Sequence, residues 1–180
     1  MSGVKIRAAT DNDIQAIAEI HVLSFQTAYR GIVPDEFLNA INVDNRVHGW
    51  RSTYDKYPRN LTVAVLPNDY VLGFCCAGPV VDTQKNAPYE FEIYGLHVRQ
   101  ECRRTGIGTQ LLNDAFARAL KSEQFTTAIV WTLTELVESR RFYERHGGAP
   151  FKNGTWKLGP ASIPEISYGW QNLNAVSDLA

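Results

Sequence analysis

The 180-residue sequence has no apolar run of the length that a membrane-spanning helix needs, and it carries almost no net charge. With a formal net charge of −1, no overall field attracts nucleic acid or an anionic membrane. The first ten residues, MSGVKIRAAT, lack the apolar core of a signal peptide and are typical of a first strand. These absences predict a globular protein with neither a nucleic-acid nor a membrane partner.

Cysteine is scarce as well, and its placement fits neither a disulfide framework nor a metal site. Cys75 and Cys76 are adjacent within an apolar run, so on a strand their side chains would point to opposite faces. Cys102 makes the count odd, and no pair of histidines has zinc-site spacing with a cysteine. We therefore expect buried thiols in a reducing compartment, a cytoplasmic location and no bound metal.

Several familiar phosphate-binding and catalytic motifs are also missing. The chain contains no G-x-x-x-x-G-K-[ST] loop and no G-x-S-x-G turn. A dinucleotide fingerprint would need Gly or Ala where the chain has Leu111, and it would normally follow the first strand of a βαβ unit. These rival motifs therefore fit the chain poorly.

Apolar periodicity predicts helices packed on a mixed sheet, in the order β-α-α-α-β-β-β-α-β-α-β-β. The predicted strands are 4–10, 61–66, 71–80, 89–98, 126–133, 151–159 and 164–170. The predicted helices are 11–25, 34–41, 43–57, 107–120 and 135–146. This order is typical of an α/β (α+β) fold, which we expect to form a single domain over 1–180 with a core of roughly 4–170.

The stretch RQECRRTGIG, at residues 99–108, leads directly into a strongly patterned helix. The start of a helix presents unpaired N–H groups and the positive end of the helix dipole. Gly106 and Gly108 would let the main chain approach a bulky anion, and Arg103 and Arg104 add positive charge. The loop therefore predicts a phosphate or pyrophosphate site. From the residues alone, a tight turn with solvated arginines stays open as the alternative.

Two landmarks in the second half of the chain match one known family. Arg103, Gly106 and Gly108 match the pattern [QR]-x-x-G-x-[GA], and a predicted strand precedes them. Further along, SRRFYERHGG contains R-x-F-Y-E-x-x-G, which includes Phe142 and Tyr143. In order and separation, these landmarks resemble those of the GNAT superfamily of N-acetyltransferases. The resemblance covers nearly the whole chain and is weakest between positions 29 and 57.

The resemblance implies a fold, a reaction and a cosubstrate. The fold would be a largely antiparallel mixed sheet of about seven strands, flanked by helices and splayed between strands 4 and 5. The reaction would be direct acetyl transfer from acetyl-CoA to a primary amine of a small molecule or a protein. The alternatives are a catalytically silent acyl-CoA-binding module on the same fold and a protein that binds another pyrophosphate. A homodimer through the C-terminal strands is compatible with the resemblance, but no feature of the chain requires it.

The resemblance also assigns residues to the cofactor. Loop amides would hold the pyrophosphate, and the backbone of the strand before the loop would pair with the pantetheine arm. The implied cofactor-binding residues are Leu96, His97, Val98, Arg103, Arg104, Thr105, Gly106, Ile107, Gly108, Thr109, Ser139 and Phe142. One departure is Leu136, which stands where many family members carry a cofactor-binding Asn. Ser139 or Thr134 is a candidate replacement for that amide.

Acetyl transfer to an amine needs a base, because a lysine-like amine with a pKa near 10.4 costs about 4–5 kcal/mol to neutralise at pH 7. Glu90 and Glu92 would share one face of their strand, so alternation does not separate them. The resemblance favours Glu92, which stands fourteen residues before Gly106. The alternative is that both glutamates form a solvated strand face.

The remaining site assignments concern the acid and the acceptor. Tyr143 occupies the tyrosine position that the family uses to protonate the leaving thiolate, and the alternative is a core aromatic. Phe25, Tyr29 and Glu90 are the candidate substrate-binding residues. Phe25 and Tyr29 fall in the family's variable acceptor region, where a helix end packed on the sheet is the alternative reading.

Overall fold

The computed structural model describes residues 3–121 and 125–177, and the predicted strands and helices occur there in the predicted order. The strands are β1 (Lys5–Ala8), β2 (Leu61–Val65), β3 (Val71–Pro79), β4 (Phe91–Val98), β5 (Ala128–Leu133), β6 (Ala149–Leu158) and β7 (Ala161–Trp170). The helices are α1 (Ile14–Ala28), α2 (Asp35–Ala40), α3 (Val43–Lys56), α4 (Thr83–Asn86), α5 (Ile107–Lys121), α6 (Val137–Arg145) and α7 (Leu173–Ser177). Two of these were not predicted, namely α4, which forms in an expected loop, and α7, which follows the last strand.

The strands form one mixed sheet in the order β1-β2-β3-β4-β5-β7-β6. β1 pairs antiparallel with β2, β2 with β3, β5 with β7 and β6 with β7, whereas β4 and β5 run parallel. The predicted fold class is therefore confirmed. The parallel register runs from Phe91↔Ala128 to Ile93↔Val130, although β4 continues to Val98. A register this short is what a splay between the fourth and fifth strands requires.

Contacts divide the chain into two compact units, which we describe separately. The first unit comprises Met1–Cys76 and Gly95–Asp114, and the second comprises Ala77–Tyr94 and Ala115–Ala180. The expectation of a single domain over 1–180 stays a prediction. Within residues 3–121 and 125–177, none of the helices is both long enough and apolar enough to cross a membrane. Cys75, Cys76 and Cys102 all lie in the described ranges, where they are buried and form no disulfide.

In the first unit, α1 begins at Ile14, three residues after the predicted helix start at position 11. A short 3-10 turn over Asp11–Asp13 precedes it, and the Asp13 carboxylate accepts hydrogen bonds from the Thr10 N–H at 2.7 Å and the Thr10 hydroxyl at 2.8 Å. Arg7 donates to the same carboxylate at 2.7 Å. These bonds fix the entry of a helix whose buried face includes Ile14 and Ile17.

The second unit positions α6 against the end of the sheet. Trp170 donates from its indole N–H to the His146 carbonyl at 2.7 Å. A Cβ on Gly148 would lie 2.9 Å from the Trp170 ring, so only glycine allows this approach. Gly147 has φ +80° and follows the C-cap residue His146, at the C′ position where glycine commonly ends a helix. Together these contacts fix where α6 stops.

The first unit also encloses two histidines in an aromatic cluster. His97 on β4 lies 5.1 Å from His21 on α1 and 5.2 Å from Phe74, measured between ring centroids. Trp50 donates its indole N–H to Nδ1 of His21 at 2.9 Å. Burial lowers the pKa of His21 to about 3 and that of His97 to about 4. Both imidazoles are therefore neutral at pH 7.

This neutrality makes the stability of the protein depend on pH. In the unfolded chain both histidines protonate near pH 6.5, whereas in the folded chain they resist protonation until about pH 3 and 4. The unfolded state therefore binds protons first, and the free energy of unfolding falls as the pH drops from about 6.5. We expect urea unfolding to show a loss of about 2 kcal/mol per histidine between pH 7 and pH 5. His97→Phe should remove about half of this pH-dependent loss. His48→Gln, at an exposed position of α3, is the control, and an unchanged slope in His97→Phe would contradict the assignment.

Candidate active site

The predicted anion loop forms at the start of α5, in the first unit. The Cys102 N–H donates to the Arg99 carbonyl at 2.9 Å, and the Thr105 hydroxyl donates to the Cys102 carbonyl at 2.6 Å. Gly106 then adopts φ +86°, and α5 begins at Ile107. A Cβ added to Gly106 would meet nothing within 4 Å. The glycine is therefore required by the backbone conformation, and the space beside it is open.

The chemistry of this loop fits a diphosphate. The first turn of α5 presents N–H groups that have no acceptor within the helix, and the dipole favours negative charge there. Arg103 and Arg104 are both exposed. The Nε of Arg103 lies 3.5 Å from the Val98 carbonyl, so its cationic head stays near the end of β4. N–H donors, positive charge and open space for a ligand therefore occur together in this loop.

The strand that leads to this loop is approached closely by β3. A Cβ on Gly73 would lie 2.7 Å from the His97 carbonyl oxygen and 3.1 Å from the Val98 Cα. The Arg99 N–H donates to the Leu72 carbonyl at 2.8 Å. Leu96, His97 and Val98 are half-buried in β4, and the His97 ring lies in the aromatic cluster described above. The lack of a side chain at Gly73 therefore allows β3 to approach the end of β4, which no sequence motif predicts.

In the second unit, Glu92 is held by a buried amide. Asn86, which is 1% exposed, donates from Nδ2 to Oε2 of Glu92 at 2.6 Å. Its Oδ1 accepts from the indole N–H of Trp131 at 2.7 Å. Burial raises the pKa of Glu92, while the nearby Lys85 and the hydrogen bond from Asn86 act in the opposite direction. The carboxylate is thus half-buried, fixed in position and less acidic than an exposed glutamate.

A second carboxylate lies beyond Trp131. The Lys85 ammonium pairs with Oε1 of Glu165 at 2.8 Å and lies 4.0 Å from the centre of the Trp131 ring. Glu165 is only 8% exposed. A Cβ on Gly154 would come within 2.7 Å of Trp131 and 2.9 Å of Glu165, so glycine makes room for both. Lys85, Asn86, Trp131 and Glu165 were not predicted, because none of them belongs to a sequence motif.

Glu90 has a different environment from Glu92. Its side chain is exposed, and its carboxylate accepts from the Thr126 N–H at 3.1 Å and the Thr127 hydroxyl at 3.3 Å. The Glu90 N–H donates to the same Thr127 hydroxyl at 3.1 Å. Glu90 therefore ties β4 to the segment before β5. The structure distinguishes two glutamates that strand alternation leaves equivalent.

Tyr143 lies on α6, buried among aromatic rings. Its ring centroid is 5.3 Å from Phe142 and 6.1 Å from both Tyr168 and Trp170. The neighbouring motif residues fix the helix, because Arg140 donates from Nε to the Tyr168 hydroxyl at 3.1 Å and that hydroxyl donates to Glu144 at 2.7 Å. The buried Tyr168 therefore links Arg140 and Glu144, the arginine and the glutamate of the R-x-F-Y-E motif.

Leu136 and the two candidate replacements for the missing amide, Ser139 and Thr134, lie in or just before the first turn of α6. Leu136 is the N-cap residue of α6, and the half-buried Ser139 lies in the first turn of that helix. The Thr134 carbonyl accepts from Arg140 at 3.1 Å. Replacement of the missing amide by Ser139 or Thr134 stays a prediction. In the described ranges, no group of three or more His, Cys, Asp or Glu side chains is arranged to hold a metal ion.

Phe25 and Tyr29 lie together at the end of α1, in the first unit. Their rings stack with centroids 4.2 Å apart and an angle of 7° between the planes. Burial raises the pKa of the half-buried Tyr29 to about 12, so its hydroxyl stays protonated. The guanidinium of Arg46 on α3 lies 5.7 Å from the Phe25 ring centroid. The predicted acceptor residues are thus part of an aromatic surface that also carries a cation.

Comparison with known proteins identifies the family. The Acetyltransferase (GNAT) family model matches residues 14–148, and the chain therefore belongs to this family. The uncharacterized N-acetyltransferase YuaI of Bacillus subtilis (strain 168) is 29% identical over 176 residues, which cover 98% of each chain.

Solved structures agree with this assignment at the level of the fold. An N-acetyltransferase from Staphylococcus aureus Mu50 is 21% identical with a TM-score of 0.71, covering 96% of this chain and 99% of that one. The structure of yncA from Salmonella typhimurium with its cofactor acetyl-CoA is 17% identical with a TM-score of 0.69, covering 94% of each chain. The protein is an acetyltransferase, and acetyl-CoA is its cosubstrate.

Proposed function

We propose that the protein transfers the acetyl group of acetyl-CoA directly to a primary amine, of a small molecule or a protein, with Glu92 as general base and Tyr143 as general acid. The observation that carries this proposal is the half-buried Glu92 carboxylate, held at 2.6 Å by the amide of Asn86. A fixed carboxylate with a raised pKa suits proton abstraction near neutral pH better than an exposed one.

In this proposal, the base role of Glu92 requires that its carboxylate be ionised when the acceptor binds. The ammonium form of the acceptor has no lone pair for attack, so a proton must leave it directly or through a water molecule. Raising the pKa of a carboxylate increases its basicity while leaving it ionised at pH 7 if the shift is moderate. Asn86 can only donate to Glu92 from Nδ2, since its Oδ1 is engaged by Trp131, and donation stabilises the ionised form.

The cosubstrate would lie along the end of β4 and the anion loop. Acetyl-CoA supplies a thioester, and its CoA sulfur departs as a thiolate when the amine attacks. In our proposal, the amides at the start of α5, with Arg103 and Arg104, hold the diphosphate, and the backbone of Leu96–Val98 pairs with the pantetheine arm. Tyr143 donates a proton to the sulfur, and Phe142 and Ser139 line the cosubstrate.

Replacing the base tests the first role. Glu92→Gln should lower kcat by about 10²-fold or more, because the isosteric amide cannot accept a proton. In the wild type, kcat/KM should fall as the pH drops through the raised pKa of Glu92, and the variant should lack this acid limb. Lys85→Met removes a charge that lowers this pKa, so it should move the limb to higher pH. Thiol release across a pH series with a panel of amines measures both effects.

The matched comparison is Glu90→Gln, directly before the same strand, where the carboxylate is exposed. A larger loss of kcat in this variant than in Glu92→Gln would transfer the base role to Glu90. CoA binding without turnover of any amine would instead favour a silent acyl-CoA-binding module.

Removing the Tyr143 hydroxyl tests the proposed role of this residue as general acid. Tyr143→Phe should lower kcat ten-fold or more and leave CoA affinity nearly unchanged, because the ring remains in its aromatic packing. Tyr168→Phe is the matched control. The Tyr168 hydroxyl is hydrogen-bonded to Arg140 and Glu144, so removing it should lower the free energy of unfolding and leave kcat nearly unchanged. Steady-state kinetics and calorimetric CoA titration separate these effects. An unchanged kcat in Tyr143→Phe would remove this residue from the mechanism.

The loop is tested at its positive-φ glycine. Gly106→Ala should weaken CoA binding, because Ala disfavours φ +86° by about 1 kcal/mol and the loop would relax away from this conformation. Gly159→Ala is the control, since Gly159 also has positive φ (+56°) with open space for a Cβ, but lies between β6 and β7. Isothermal titration with CoA should show weaker binding in the first variant only. Equal affinities in both variants would contradict the diphosphate role of the loop.

A further inference from the structure

Arg46 is a half-buried cation to which no described residue supplies a counter-charge. Within residues 3–121 and 125–177, its guanidinium has no ion-pair partner and its side chain donates no hydrogen bond, and burial lowers its pKa. Other arginines of the same unit have carboxylates beside them: Arg7 pairs with Asp13, and Arg51, also on α3, pairs with Asp11. A cation withdrawn from water without an anion is unfavourable unless a ligand supplies one.

The surroundings of Arg46 suit an organic anion. The guanidinium lies 5.7 Å from the centre of the Phe25 ring, on which Tyr29 stacks at 4.2 Å. Among the described residues, the Tyr29 hydroxyl has no hydrogen-bond partner, and it stays protonated at pH 7. A neutral phenol can donate a hydrogen bond to a carboxylate, and it carries no negative charge that would repel one. The stacked rings offer a flat apolar surface beside two donors.

Arg46 also lines a small cavity. It has a volume of about 200 Å³ and is lined by Phe37, Ala40, Ile41, Asn42, Asn45 and Arg46. Asn42 uses its Oδ1 to cap α3 by accepting from the Asn45 N–H at 2.9 Å. The lining thus combines apolar side chains with carboxamides and one guanidinium, but no carboxylate.

The charges nearby favour a carboxylate over a second amine. The rings of His21 and His97 lie 4.6 and 6.3 Å from the Phe25 ring and are neutral, so the positive charge here is carried by Arg46 and, near His97, by Arg103. A guanidinium binds a carboxylate through two parallel N–H···O bonds, which gives orientation as well as affinity. A polyamine would place a second cation beside Arg46.

We infer that Arg46, with the Tyr29 hydroxyl, binds a carboxylate of the acceptor, and that the physiological acceptor is therefore an amine carrying a carboxylate, of the amino-acid class. This inference rests on the proposed acetyl transfer to an amine. Arg46 is the specificity-determining residue, and Phe25 and Tyr29 form the surface on which the acceptor's side chain lies.

Matched acceptors test this inference by turnover. Amino acids with several side chains, such as phenylalanine, methionine and glutamate, are compared with their carboxamides and with phenethylamine. We expect kcat/KM to be at least ten-fold higher for acids than for their carboxamides. Arg46→Gln should abolish this preference through a raised KM for the acids, with kcat at saturation and the rates with carboxamides little changed. Arg51→Gln, on the same helix but paired with Asp11, should keep the preference.

A binding measurement separates failure of this inference from failure of the proposed reaction. N-acetylated amino acids and their carboxamides are titrated into the protein with CoA present, which needs no turnover. Tighter binding of the acids by ten-fold or more, lost in Arg46→Gln, supports the inference even if no amine is acetylated. Equal binding or equal kcat/KM for acids and carboxamides would overturn the inference while leaving acetyl transfer intact. Because an unpaired half-buried charge does not stabilise the fold, Arg46→Gln should not lower the thermal midpoint, and a lowered midpoint with unchanged preference would show a structural role.

Discussion

The candidate site depends on one buried carboxamide. Asn86 is almost completely buried, and both of its polar groups are used, one by Glu92 at 2.6 Å and the other by Trp131 at 2.7 Å. Because Trp131 can only donate, the Asn86 oxygen must face it and the NH2 group must face the carboxylate. The orientation of Asn86 is therefore fixed by the indole, and the position of Glu92 is fixed by Asn86. An apolar residue at position 86 would remove the hydrogen-bond partner of two half-buried groups, the Glu92 carboxylate and the Trp131 indole N–H.

In the first unit, positive charge is carried by arginines and not by the buried histidines. Its two cluster histidines are kept neutral by burial, so fixed positive charge remains on arginines. Arg103 and Arg104 are exposed. This exposure suits a diphosphate that stays partly hydrated and is held mainly by backbone amides. Arg46 is half-buried beside stacked rings, which suits a compact carboxylate held in one orientation. The two arginine sites thus differ in the kind of anion they fit because they differ in solvent access.

The sequence predicts what local patterns determine. The strands, the long helices and the Arg-Gly loop before α5 were all predicted, since each depends on neighbours within a few residues. The four-residue helix α4 was missed because one turn has no periodicity, and with it the role of Asn86. The difference between Glu90 and Glu92 arises from Thr127 and Asn86, which no spacing rule connects to them. The pair of Lys85 and Glu165 joins residues eighty positions apart, beyond any local pattern.

The pKa of Glu92 is raised chiefly by burial, because the charges around it oppose one another. Lys85 lowers this pKa, whereas Asp82 and Glu165 raise it, and Lys85 is itself paired with Glu165. Salt screens the exposed part of these charge interactions but does not return water to a half-buried carboxylate. The basicity of Glu92 therefore depends on how tightly the segment around Asn86 covers it. In the proposed mechanism, substitutions that loosen α4 should therefore change the rate through solvent access to Glu92, even where they remove no charge.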